Sequence, residues 1–159
     1  MTMDEIISFV GGFDGVLTMR PAPGDGTPEI SWGDTFFYYA PDGTIATTAQ
    51  PFATVVTKDY PGDEASHLDR PDTFRVNVAA GKEAFIRWTG HAPREDASAE
   101  VDPSATDTLM VHPVYGTAGW LAVVNPAGRT EAATRELLRA AHHLARARYE
   151  RRAQSACTD

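Results

Sequence analysis

His112-Pro113-Val114-Tyr115-Gly116 runs into the apolar stretch Gly119-Trp120-Leu121-Ala122-Val123-Val124, and Asn125-Pro126 ends that stretch before a long Ala/Leu/Arg helix. A proline-rigidified polar corner thus feeds a buried strand, and the strand is tied to a helix that must cover it. The helix over Thr130–Arg152 carries Leu137, Leu138, Ala141, Leu144, Ala145 and Tyr149 as an apolar stripe, with arginines opposite. A strand buried by the helix that follows it is the signature of a layered α+β domain.

Working outward, the remaining elements keep that pattern. Thr2 caps a short helix over Met3–Val10, with Asp4 and Glu5 in its first turn, and Gly11-Gly12 stops it. Val16–Met19 reads as a strand and Arg20–Glu29 as a loop rich in Pro and Gly. Thr35-Phe36-Phe37-Tyr38-Tyr39 is an aromatic strand, closed by the turn Pro41-Asp42-Gly43-Thr44. Ile45–Thr48 and Phe52–Thr57 have strand composition. Tyr60–Pro71 is a polar connection with room for one helical turn. Thr73–Val78 alternates, with Phe74, Val76 and Val78 on one side and Arg75 and Asn77 on the other. Gly81–Thr89 has helical spacing, His91–Thr106 is an acidic loop, and Thr108–His112 with Gly119–Val124 make the last two strands.

The order is α-β(3-4)-α-β(2)-α. Short turns join the strands, so the sheet is expected to be largely antiparallel, with helices on one face of a two-layer sandwich. Length favours one domain over residues 1–152, with 153–159 as a disordered tail. The uncovered sheet face is expected to carry several of Trp32, Phe37, Tyr39 and Trp120. Either the loops Arg20–Glu29 and His91–Thr106 fold over it or a second copy does, so monomer and homodimer both remain open.

Composition narrows the function. The formal charge is -8, which counts against nucleic acid and anionic membrane as partners. The charge is uneven. Residues 1–128 hold seven lysines and arginines against eighteen carboxylates, a balance of -11, whereas residues 129–159 hold seven arginines against four carboxylates, a balance of +3. That basic helix is either a solvated face or a docking element for an acidic surface. Ile6–Val10 is too short for a signal peptide or membrane span. Cys157 is the only cysteine, so no intrachain disulfide can form, as expected of a cytoplasmic protein.

The order of elements resembles the MmcQ/YjbR-like family, whose double-wing fold runs α-β(3)-α-β(2)-α. The local match is Gly119–Val124 followed by Glu136-Leu137-Leu138 and Ala140-Ala141. That resemblance implies a protein- or nucleic-acid-interaction role. More closely, Leu68-Asp69-Arg70-Pro71, Phe74-Arg75-Val76-Asn77 and His112–Gly116 are similar to phrases in a group of actinobacterial proteins of unknown function.

Candidate chemistry gathers at two places. Arg75 offers a donor fork for a carboxylate or phosphate, and Asn77 adds a donor and an acceptor on the same face. The alternative is an internal ion pair of Arg75 with Asp72 or Asp34. His112 and Tyr115 sit at the proline corner, beside Trp120, where an imidazole and a phenol serve either acid/base catalysis or ligand orientation. No nucleophile or orienting carboxylate completes a triad. Asp63-Glu64-x-x-His67 is half of a metal set without its second half, and His142 and His143 diverge by about 100° on a helix. Gly11, Gly12 and Gly15 precede a strand, the reverse of a dinucleotide fingerprint. No metal and no cofactor is therefore expected. The expected function is binding of a small polar or anionic ligand by Arg75, Asn77, His112, Tyr115 and Trp120. The alternatives are a small-metabolite enzyme using His112 as acid/base, or an interaction module of the double-wing type.

Overall fold

Alternation along Thr35–Tyr39 and Arg75–Ala79 decides which side chains meet the helices, because a strand turns successive residues to opposite faces. The computed structural model describes residues 1–95 and 101–157. Helix α1 spans Met3–Gly11, followed by strands β1 (Val16–Met19), β2 (Thr35–Tyr39), β3 (Ala53–Val56) and β4 (Arg75–Ala79). Helix α2 spans Gly81–Thr89, and β5 (Leu109–Val111), β6 (Trp120–Val124) and α3 (Glu131–Cys157) complete the order. The six strands form one antiparallel sheet in the order β1-β2-β3-β4-β6-β5. The fold is an α+β two-layer sandwich.

The register sorts the residues. The row Thr18, Phe37, Ala53, Val78 and Leu121 runs across the sheet on one face, with Val55, Val76 and Val123 beside it. This face meets Ile6 and Val10 of α1, Ala84 and Phe85 of α2, and Leu137, Leu138 and Ala141 of α3 in one buried core. Thr2 caps α1 through its hydroxyl, which accepts from the Glu5 N–H at 3.1 Å. Gly90 closes α2 in the left-handed conformation, φ 83°, and donates its N–H to Ile86.

The opposite face is not left bare. Val56, Met110, Ala122 and Val124 form a second apolar cluster, covered by Leu68 and Tyr60 from the segment between β3 and β4. Asp34 anchors that segment. Its buried carboxylate accepts from the Thr57 N–H and hydroxyl (2.8 Å each), from Lys58 Nζ (3.1 Å) and from the Tyr60 hydroxyl. Burial, with the Asp34 carboxylate beside it, pushes the Tyr60 phenol well above its ordinary range.

Four expectations are corrected here. Residues 45–48 are loop, and both sides of the preceding β2 are taken, by β1 and by Ala53–Val55 of β3. Tyr60–Pro71 contains no helical turn. Phe37 and Tyr39 lie under the helices, not on the opposite face, since the one-residue alternation places them with Ala53 and Val55. Helix α3 does not end at Arg152 but continues to Cys157, as its Ala, Gln and Arg content permits once the anchored turns before it have nucleated the helix. Part of His91–Thr106 lies outside the described residues, and the cover of the second face comes from residues 57–74. No described helix is long and apolar enough to cross a membrane.

Candidate functional site

Arg75 and Asn77 do share a face of β4, and that face is sealed. Arg75 is 2% exposed, and each branch of its guanidinium is engaged. Nε donates to Asn77 Oδ1 (2.7 Å), Nη1 to Asp63 Oδ1 and Ser66 Oγ (3.0 Å each), and Nη2 to Asp63 Oδ2 (2.5 Å). Asn77 passes the chain on, donating from Nδ2 to Thr54 Oγ1 at 3.0 Å. The arginine's partner is thus Asp63 from the covering segment, not Asp72 or Asp34. A bidentate carboxylate with added hydrogen bonds is the arrangement that lets a buried guanidinium remain charged. The Asp63-Glu64-x-x-His67 fragment gives Asp63 to this pair, and His67 has a left-handed backbone, φ 50°. Among the described residues no cluster of three His, Cys, Asp or Glu is placed to hold a metal.

His112 closes the network. It is 3% exposed, and its Nδ1 accepts the backbone N–H of Val114 (3.1 Å) and of Tyr115 (3.0 Å). Nδ1 therefore keeps its lone pair, and Nε2 holds the ring hydrogen. Nε2 lies 3.2 Å from Arg75 Nη2 and 3.9 Å from Asp63 Oδ2. Burial, and then the Arg75 charge, lower the His112 pKa to about 4, against the opposing pull of Asp63. The ring is neutral at physiological pH. Its work in the fold is to hold the corner after β5, and through the corner to hold Tyr115.

Tyr115 is the outward end of this arrangement, 56% exposed. Its ring lies 5.0 Å from the His112 ring and 6.5 Å from Trp120, centroid to centroid. Tyr115 and Trp120 together form one wall of a cleft of about 470 Å³. Other walls come from Tyr38 and Phe52, from the loop after β2, from Gly81 at the start of α2, and from Leu144, Arg148, Tyr149 and Arg152 of α3. Arg75, Asn77 and His112 are not among the lining residues.

The cleft has an unusual charge balance for this chain. Arg148 and Arg152 are the charged side chains among the described residues that line it, and none of those residues is an aspartate or glutamate. The two arginines are four residues apart and share a helix face. Arg146, by contrast, is paired with Glu150 at 3.0 Å and with Asp14 at 3.7 Å. Among the described residues no carboxylate forms an ion pair with Arg148 or Arg152. His142, packed among Phe13, Tyr39 and Phe52, engages the Asp14 carbonyl at 2.7 Å. His143 is exposed, so the two histidines diverge as their adjacency requires.

Of the residues singled out from the sequence, the structure brings Tyr115 and Trp120 to the cleft, and Arg75, Asn77 and His112 into the buried network behind it. Sequence reasoning did not place Arg148, Arg152, Tyr38 and Phe52 at one site, and Arg152 and Phe52 were no candidates at all. The four-residue spacing of the two arginines was a signal of a shared face, but not of what lay under it. No curated protein and no solved structure matches the chain. A family model described as a family of unknown function (DUF6194) matches residues 1–154, and the protein belongs to that family.

Proposed function

We propose that this protein binds a small anionic ligand in the cleft between the Tyr115–Trp120 wall and the C-terminal half of α3. The observation that carries this reading is the pair Arg148 and Arg152 over a concave, partly aromatic cavity that no described carboxylate lines, in a chain of net charge -8. A cavity of about 470 Å³ falls within the roughly 300–1,000 Å³ typical of small-molecule sites. Binding restricted to the folded protein raises its melting temperature. A thermal-shift screen of citrate, benzoate, inorganic phosphate and phosphomonoesters at constant ionic strength tests the reading. At least one anion should stabilise the protein, and charge reversal by Arg148→Glu with Arg152→Glu should remove the effect. A shift that survives this double reversal places binding elsewhere.

The buried network supports binding more than catalysis. His112 lines no part of the cleft, and its Nδ1 is taken up by two backbone N–H groups. A second reading draws on the exposed end of α3, where Arg146, Arg148, Arg151 and Arg152 stand against Glu150 alone. It is the interaction module that the double-wing resemblance implies. On duplex DNA near physiological salt we expect no measurable complex. A salt-sensitive submicromolar complex, weakened by reversing Arg146, Arg148 and Arg151, would favour that reading instead.

A further inference from the structure

We propose that the ligand of this cleft is a nucleoside monophosphate, its base against the Tyr115–Trp120 wall and its phosphate between Arg148 and Arg152. This rests on the cleft being a ligand site and goes beyond it by naming the class.

Three features of the lining meet three parts of such a molecule. The first is charge. Two guanidinium forks on one helix face present two positive charges and up to ten N–H donors. A phosphate monoester carries close to two negative charges and three terminal oxygens, so it uses both forks, whereas a single carboxylate is satisfied by one. The second is the aromatic wall, where the Tyr115 and Trp120 rings are tilted 54° to each other and Tyr115 offers the exposed ring. Tyr115 is 56% exposed yet not free to collapse, because His112 holds its backbone N–H and that of Val114, and the imidazole packs against its ring. An aromatic surface fixed before binding costs little ordering entropy when a base stacks on it. The third is the rim, where Thr44, Thr48 and Gln50 supply hydroxyl and amide groups suited to sugar hydroxyls. A free nucleotide fits better than a polymer. Two arginines make a point of positive charge, not a track, and the chain's negative balance opposes a long phosphate backbone.

Calorimetry with adenosine monophosphate, adenosine, ribose 5-phosphate and inorganic phosphate separates the contributions. The monophosphate should bind at least roughly tenfold more tightly than either half-molecule, the increment expected of one stacked base or one phosphate clamp. Tyr115→Ala should weaken the monophosphate by about tenfold and leave ribose 5-phosphate unchanged. Arg148→Glu with Arg152→Glu should abolish binding of both. All these side chains are exposed or line the cleft, so the variants should fold, which circular dichroism checks. If adenosine monophosphate binds no more tightly than inorganic phosphate, or if Tyr115→Ala leaves it unchanged, the nucleotide is overturned. If citrate or benzoate binds through the two arginines while adenosine monophosphate does not, the nucleotide falls and the anion site stands. If none of these anions binds, both fall together.

Discussion

Two arginine sites in this molecule use similar side chains to opposite ends. Around Arg75, a buried guanidinium lies against His112 and commits Nε, Nη1 and Nη2 to Asn77, Ser66 and the bidentate Asp63 carboxylate. Around Arg148 and Arg152, guanidinium groups stand over a cavity with aromatic walls and, among the described residues, no carboxylate to neutralise them. The first site holds a covering segment to a sheet, and the second is open to an incoming anion. Residue type does not separate a structural arginine from a recognition arginine. The presence of a carboxylate within reach does, because a satisfied fork has no donor left to offer.

The contrast can be broken first at Arg75. Arg75→Ala strands the Asp63 carboxylate, and loss of one partner of a buried pair costs about 3–5 kcal/mol. Urea denaturation should show a loss of that size. A loss under about 1 kcal/mol would place Arg75 among exposed pairs and dissolve the distinction.

A smaller loss is expected at Gly116, next to Tyr115. A Cβ there would sit 2.3 Å from Val111 Cγ1, so Gly116→Ala forces β5 or the corner to shift. Overpacking of this kind costs about 1–3 kcal/mol. The same unfolding measurement checks it, and an unchanged midpoint would mean that the corner is soft.

The link between the two sites is His112, and two substitutions take it apart. Asn places an acceptor near the position of Nδ1, whereas Gln reaches toward Nε2 and leaves the Val114 and Tyr115 N–H groups unpaired. His112→Gln should speed hydrogen exchange at those two amides by roughly tenfold, about one hydrogen bond's worth, and His112→Asn should leave them close to wild type. Equal exchange in both variants would show that Nδ1 does not hold the corner. The pH dependence follows from the same ring. Its folded pKa, about 4, is below the ordinary 6.5, so between these values the unfolded chain binds the proton more readily. Stability from this group is present above pH 6.5 and is lost as pH falls toward 4. Substitution by Asn should flatten the stability profile in that window.

The smallest stability effect is expected at the cleft itself. Arg148→Ala and Arg152→Ala each should move stability by no more than about 0.5 kcal/mol, as surface changes do, while weakening anion binding. A larger destabilisation would make these arginines structural as well and narrow the contrast with Arg75.

Local pattern was enough for most of the fold. Alternation in Phe74–Val78 sorted Val76 and Val78 into the core and placed Arg75 with Asn77, because strand geometry permits nothing else. Thr2 capped its helix, and the run at Trp120–Val124 made the buried strand. The strand expected at 45–48 failed because composition says that a segment can pair, not that a partner strand lies beside it. The same limit applies at the Arg20–Glu29 and 57–74 connections, where nothing local said which would cover the second face.

Asp107 shows the limit at a helix end. It accepts from the N–H groups of Ala127, Arg129 and Thr130 and from the Thr130 hydroxyl, which comes first in holding its carboxyl down to about 2. This cap for α3 comes from some twenty residues upstream, beyond any local capping pattern. Periods of two and of 3.6 residues are written along the chain, and so elements, faces and the α+β class could be read from them. Which carboxylate meets Arg75, and that Arg148 and Arg152 overhang a cavity beside Tyr115, depend on contacts between segments far apart in sequence. Those partners are selected when the whole sheet and its covers pack together, and only the tertiary structure decides them.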